Sequence, residues 1–134
     1  MKATLLLADA ATANPDGTIS LLRGFISKVN VPADHPAGAP IPFQAALIAR
    51  LEIDKPGDSG SSQVEVFLKS EEGTEIIPPL TMTAKTQSDK HNHVLVINAH
   101  VLLPKVGRYN FFLHWDGKEI GKWPFEAQTT PKSS

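Results

Sequence analysis

Apolar and polar residues alternate with a period of two along most of this chain. The longest case is residues 41–54. Ile41, Phe43, Ala45, Leu47, Ala49, Leu51 and Ile53 take the odd positions, while Gln44, Arg50, Glu52 and Asp54 stand among the even ones. Successive strand residues face opposite ways, so the pattern predicts a strand with one buried face, and a helix would not hold it over this length. The same period predicts strands over residues 2–8 (Ala3, Leu5 and Leu7 inward) and 18–31 (Ile19, Leu21, Phe25, Val29 and Val31). Val64, Val66 and Leu68 face inward against Glu65 and Lys69. Over residues 92–103, Leu95, Ile97, Ala99, Val101 and Leu103 turn inward and Asn98 and His100 outward. A weaker strand is expected over residues 75–84, bent or interrupted at Pro78-Pro79.

Residues 107–127 carry the strongest local signal. Tyr109, Phe111, Leu113 and Trp115 form one apolar face and lead into Asp116-Gly117. That dipeptide suits a two-residue type I′ hairpin turn, whose central residues both need positive φ. Strict alternation in the returning strand would place Trp123 and Phe125 in water. One extra residue repairs this, so a β-bulge is expected at Gly121-Lys122 that turns Trp123, Phe125 and Ala127 inward.

Between these runs lie turn signals. Asn14-Pro15-Asp16-Gly17 suits a type I turn, and Gly24 inside an apolar run suggests a bulge or a close backbone approach. The segment 32–42 holds four prolines and predicts a loop or stiff crossover. Residues 55–62 and 85–91 are expected to be loops. About eight strands and no helix then predict an all-β fold, an antiparallel two-sheet sandwich, with a closed barrel as the alternative. The expected organisation is a single domain over residues 1–127 and a polar tail over 128–134.

Composition narrows the function. A net charge of −1 with mixed signs gives no basic footprint for nucleic acid. The absence of cysteine excludes disulfides and cysteine-ligated zinc, so the core alone must hold the fold. The apolar run near the N-terminus is broken by Asp9 and is too short for a signal peptide or a membrane span. A cytoplasmic protein with no cofactor and no membrane partner is the expectation.

Two resemblances follow from particular residues. The G-x-Y-x-F-x-L pattern of Gly107, Tyr109, Phe111 and Leu113 resembles the penultimate strand of immunoglobulin-like sandwiches, in which a Tyr near the strand start anchors a corner. The segment Ala3 to Ala11, the early Asp16-Gly17 turn and the closing G-R-Y-N-F-F-L-H-W-D-G resemble a family of small bacterial single-domain proteins of unknown function. That resemblance implies a stand-alone sandwich and no catalytic residues.

The candidate sites are modest. His91 and His93, two apart on one strand face, have the donors for a metal, but spacing implies no third ligand, and a polar loop entering a strand is the expected reading. Asp9 is expected to hold nearby backbone donors. His114, Asp116 and Glu119 form a charged hairpin tip. Trp115, Trp123, Phe112 and Tyr109 would form a sugar-stacking platform only if they shared an exposed face, and alternation sends Tyr109 and Trp115 inward. Phe112, His114, Asn110 and His100 fall on outer faces and make the candidate binding surface if their strands are neighbours; an immunoglobulin-like topology would separate them. No nucleophile motif, glycine-rich phosphate loop or H-E-x-x-H is present. The expected function is a non-enzymatic module that binds a protein partner or itself, with the proline-rich segment and the surface around Phe112 as its contacts. A small-ligand or carbohydrate-binding module and a hydrolase with dispersed residues are the alternatives.

Overall fold

A computed structural model describes the chain except at residues 16, 17, 25, 37, 54–59, 87–91 and 130–134, and except for the side chains of residues 13, 22 and 92. The described residues form ten strands and no helix. These are β1 (Lys2–Ala8), β2 (Ala10–Ala13), β3 (Ile19–Leu22), β4 (Lys28–Val31), β5 (Ile41–Glu52), β6 (Gly60–Ser70), β7 (Leu80–Thr86), β8 (Asn92–Leu103), β9 (Gly107–Trp115) and β10 (Lys118–Thr129). They assemble into a three-stranded sheet, β1-β5-β8, a five-stranded sheet, β4-β10-β9-β6-β7, and a two-stranded ribbon, β2-β3.

The inward rows meet in one core. Leu5, Leu7, Phe43, Leu47, Leu51 and Ile97 from the three-stranded sheet pack with Val64, Val66, Leu68, Phe111, Leu113 and Phe125 from the five-stranded sheet. Phe125 stacks on Phe43, Tyr109 and Phe111 with ring centroids 5.1–5.6 Å apart. Each odd-position residue from Ile41 to Leu51, and each from Tyr109 to Trp115, is buried.

The all-β class is as expected, but the arrangement departs from a wholly antiparallel sandwich of about eight strands. The apolar run 18–31 does not form one strand. It breaks after β3, where Arg23 adopts φ 51°, and resumes as β4. β3 pairs with β2 in the ribbon, while β4 joins the five-stranded sheet by pairing parallel to β10. Gly24 lies in that break. Gln128 and Thr129, expected in the tail, extend β10 alongside Asn30 and Val31.

The hairpin confirms its turn and nearly its bulge. Asp116 and Gly117 have φ of 48° and 85°, as a type I′ turn requires. The register of β9 and β10 shifts between Glu119 and Gly121, which leaves Ile120 as the extra residue, one position before the expected site. Beyond it Gly121 pairs with Leu113, Trp123 with Phe111 and Phe125 with Tyr109, so the inward row is restored. Gly121 allows a close approach of β1. A Cβ there would stand 3.2 Å from Leu5 Cγ and 3.3 Å from the Ala3 carbonyl oxygen. β1 of one sheet presses on β10 of the other at this point and closes one side of the core.

Candidate interaction face

The outer face of the three-stranded sheet is partly occupied by the chain itself. The β2-β3 ribbon lies over it, and Ala8, Ala46 and Ile48 form a small second core with Leu6, Ala11, Ile19, Val94 and Val96. Alanine at positions 8 and 46 lets the ribbon come close. A hydrogen bond from Ile26 N to Leu7 O (2.8 Å) ties the break after β3 to β1. Asp9 and Arg23 add a salt bridge of 2.9 Å between partly exposed side chains. The Asp9 carboxylate, expected to hold backbone donors, is paired here with the Arg23 guanidinium.

On the outer face of the five-stranded sheet, ladder register places side chains in rows. Phe67, Phe112 and Lys122 form one row across β6, β9 and β10. Lys69, Asn110 and Pro124 form the next, and Glu65, His114 and Glu119 the row on the other side. Phe67 and His114 meet in a tilted ring contact with centroids 4.5 Å apart. The Lys69 ammonium stands 5.5 Å from the Phe67 ring centroid and 5.6 Å from that of Phe112. Such cation–π contacts hold the ammonium over the negative faces of both rings, each worth about 0.5–1 kcal/mol where water has access. Phe67, Lys69, Asn110, Phe112 and His114 are all half-buried. Much of each ring is shielded by its neighbours on the face, yet a surface remains for contact.

The face continues into a groove of about 440 Å³ lined by Ser27, Glu71, Arg108, Asn110, Pro124 and Glu126. Arg108 and Glu126, on adjacent strands, stand 3.7 Å apart at its wall. The groove floor is fixed by Tyr109, which is 2 % exposed and whose hydroxyl donates to the Lys105 carbonyl at 2.5 Å. Burial of the Tyr109 ring disfavours the phenolate and raises its pKa above the usual phenol range. Nearby, Glu72 is held below the usual carboxylate range by a backbone hydrogen bond first, then by Ser70 and Lys105.

Of the surface anticipated from sequence, Phe112, His114 and Asn110 share this face, but His100 does not. His100 lies on the exposed side of β8, opposite Gln44 in the other sheet. The four-residue group is therefore split, as an immunoglobulin-like topology would split it. The residue that completes the cluster is Phe67. Its signal was present in sequence, because inward Val66 and Leu68 turn the residue between them outward. No sugar platform forms from the aromatic residues: Tyr109 and Trp115 are buried, and Trp123 turns inward and donates from Nε1 to Ile26 O at 2.7 Å. His91 lies outside the described residues, and His93 sits on β8 opposite Leu51. Among the described residues no group of three or more potential His or carboxylate ligands converges.

The chain belongs to a family of unknown function, DUF6941, whose model matches residues 3–128. No curated protein matches the chain.

Proposed function

We propose that this protein is a non-enzymatic interaction module that binds a protein partner through the outer face of its five-stranded sheet. The observation that carries the reading is the Phe67-Phe112-His114 cluster with Lys69 across it, at the centre of a sheet face that no described strand covers. Lys69 and Lys122 flank Phe112, and the adjoining groove has room for a side chain. The partner chemistry that fits is an apolar side chain beside a carboxylate. Aromatic anchors with charged neighbours are typical of residues that dominate binding energy.

We read the scaffold as immunoglobulin-like. Strands β10, β9 and β6 lie in consecutive order, with β1, β5 and β8 opposite. The Tyr109 hydroxyl bonded back to Lys105 matches the tyrosine corner of such sandwiches. A core that needs no disulfide is consistent with a cytoplasmic setting.

The test begins with affinity capture and mass-spectrometric identification, followed by calorimetry on the purified partner. The F67A/F112A variant is expected to bind at least about tenfold more weakly than the wild type, as loss of anchor residues dictates. Equal affinity of wild type and variant would remove this face from the function.

A further inference from the structure

The two large sheets have four outer edges, and they are not protected alike. An exposed strand edge offers unpaired N–H and C=O groups to any other strand, and proteins blunt such edges with lysine, proline, short length or cover. β4 has four residues, carries Lys28 and is followed by Pro32. β7 carries Lys85 and is preceded by Pro78-Pro79. β1 begins with Lys2 and lies against β10 at Gly121. β8 is the least protected: Pro104 follows it and the β2-β3 ribbon packs on Val94 and Val96, but no lysine or proline lies within the strand. It is a terminal strand of its sheet, twelve residues long, and contains no Lys, Arg, Asp, Glu or Pro. Its sequence from Val94 to Leu103, VLVINAHVLL, is rich in strand-forming residues.

We infer that β8 is a self-association edge: a second copy of this chain adds its own β8 antiparallel to it. The two three-stranded sheets would then run on as one, in the order β1-β5-β8-β8-β5-β1. One register satisfies the side chains on both faces. With the two-fold axis at Asn98, Ile97 stands beside Ala99 of the second copy and Leu95 beside its Val101. The inward apolar row thus continues across the junction. On the outer face Leu102, which is 61 % exposed, comes beside Val94 of the second copy. Leu102 is the most exposed large apolar residue among those described, and this register shelters it. Pairing of β8 with β7 of another copy would instead be open-ended and would meet Lys85, so the closed two-fold arrangement is favoured.

The chain has no cysteine, so one introduced thiol gives an unambiguous reading. In the proposed register Asn98 faces itself, at a Cα separation of about 4.5–5.5 Å that a disulfide spans. On mild oxidation N98C should become a covalent dimer on a non-reducing gel, while T83C, exposed on β7, should remain monomeric. In sedimentation velocity the wild type should dimerise with concentration. N98K, which opposes two ammonium groups at the axis, should weaken the dimer about tenfold while its near-ultraviolet circular dichroism stays that of the wild type. A wild-type protein still monomeric at about 0.5 mM would overturn the inference. So would a dimer indifferent to N98K whose N98C form cross-links no faster than T83C. Neither outcome bears on the face around Phe112, which lies on the other sheet.

Discussion

Among the described residues, the three-stranded sheet is covered on both sides over much of its area, whereas the five-stranded sheet is covered on one. Both start from the same local rule of alternation, and the difference lies in what the outward positions hold. On β1, β5 and β8 many of them are apolar and of modest size: Leu6, Ala8, Ala46, Ile48, Val94 and Val96. A thin ribbon folds down on them and a second core forms. On β6, β9 and β10 the outward positions alternate aromatic rings with charges: Phe67, Phe112 and His114 among Glu65, Lys69, Lys122 and Glu119. Charged neighbours cannot be buried under a ribbon without partners, so such a face stays wet at its rim while its rings shield one another. Covering an apolar face stabilises the fold; the aromatic face left open is the surface proposed for a partner.

The comparison breaks or sharpens with three measurements of stability. The largest effect is expected at the covered face. Ile48 is 2 % exposed beneath the ribbon, and Ile48→Ala should cost about 2–4 kcal/mol in urea unfolding, the usual range for a buried aliphatic truncation. If the loss were a few tenths of a kcal/mol, the ribbon would not be a packed cover.

A smaller effect is expected at the corner that fixes the open sheet. Tyr109→Phe removes the hydroxyl that donates to Lys105 O and should cost about 1–2 kcal/mol. It should also change the response to alkali. The folded-state pKa of Tyr109 is raised, so the folded protein keeps this proton where the unfolded chain has lost it. That contribution is fully present below the unfolded value of about 10 and is lost as pH rises through the folded value. The wild type should therefore lose stability on going above about pH 10, and Tyr109→Phe should lose less over the same interval. Parallel pH profiles would show that Tyr109 does not carry this term.

The smallest effect is expected at Phe112. Its ring is only half-buried and no described element covers it, so Phe112→Ala should change stability by no more than about 1 kcal/mol. A cost matching that of Ile48→Ala would mean that the ring serves the fold, and the contrast between the two faces would collapse.

Particular residues show how far the sequence could be read. The row Tyr109, Phe111, Leu113 and Trp115 was legible because alternation is local and the Asp116-Gly117 turn sets the register beside it. The need for an extra residue before Trp123 was legible for the same reason, although its place at Ile120 was not. Phe67 was legible from the same alternation, yet a lone ring among polar residues gives no sign of contact until His114 and Lys69 stand beside it. The separation of His100 from Phe112 could not be read, since both are simply outward positions on successive strands.

The sequence by itself determined the all-β class, the inward rows of β5, β8 and β9, and the closing hairpin with its bulge. Each depends on backbone geometry over a few neighbouring residues. Only the tertiary structure decided that the run 18–31 serves two different sheets, that β4 lies parallel to β10, and that the ribbon covers Ile48 but no described strand covers Phe112. Those outcomes depend on pairings between distant parts of the chain, such as Asn30 with Gln128. A period of two is satisfied equally well whichever strand lies alongside; the partner is fixed only when the assembled core leaves one neighbour able to fill the space.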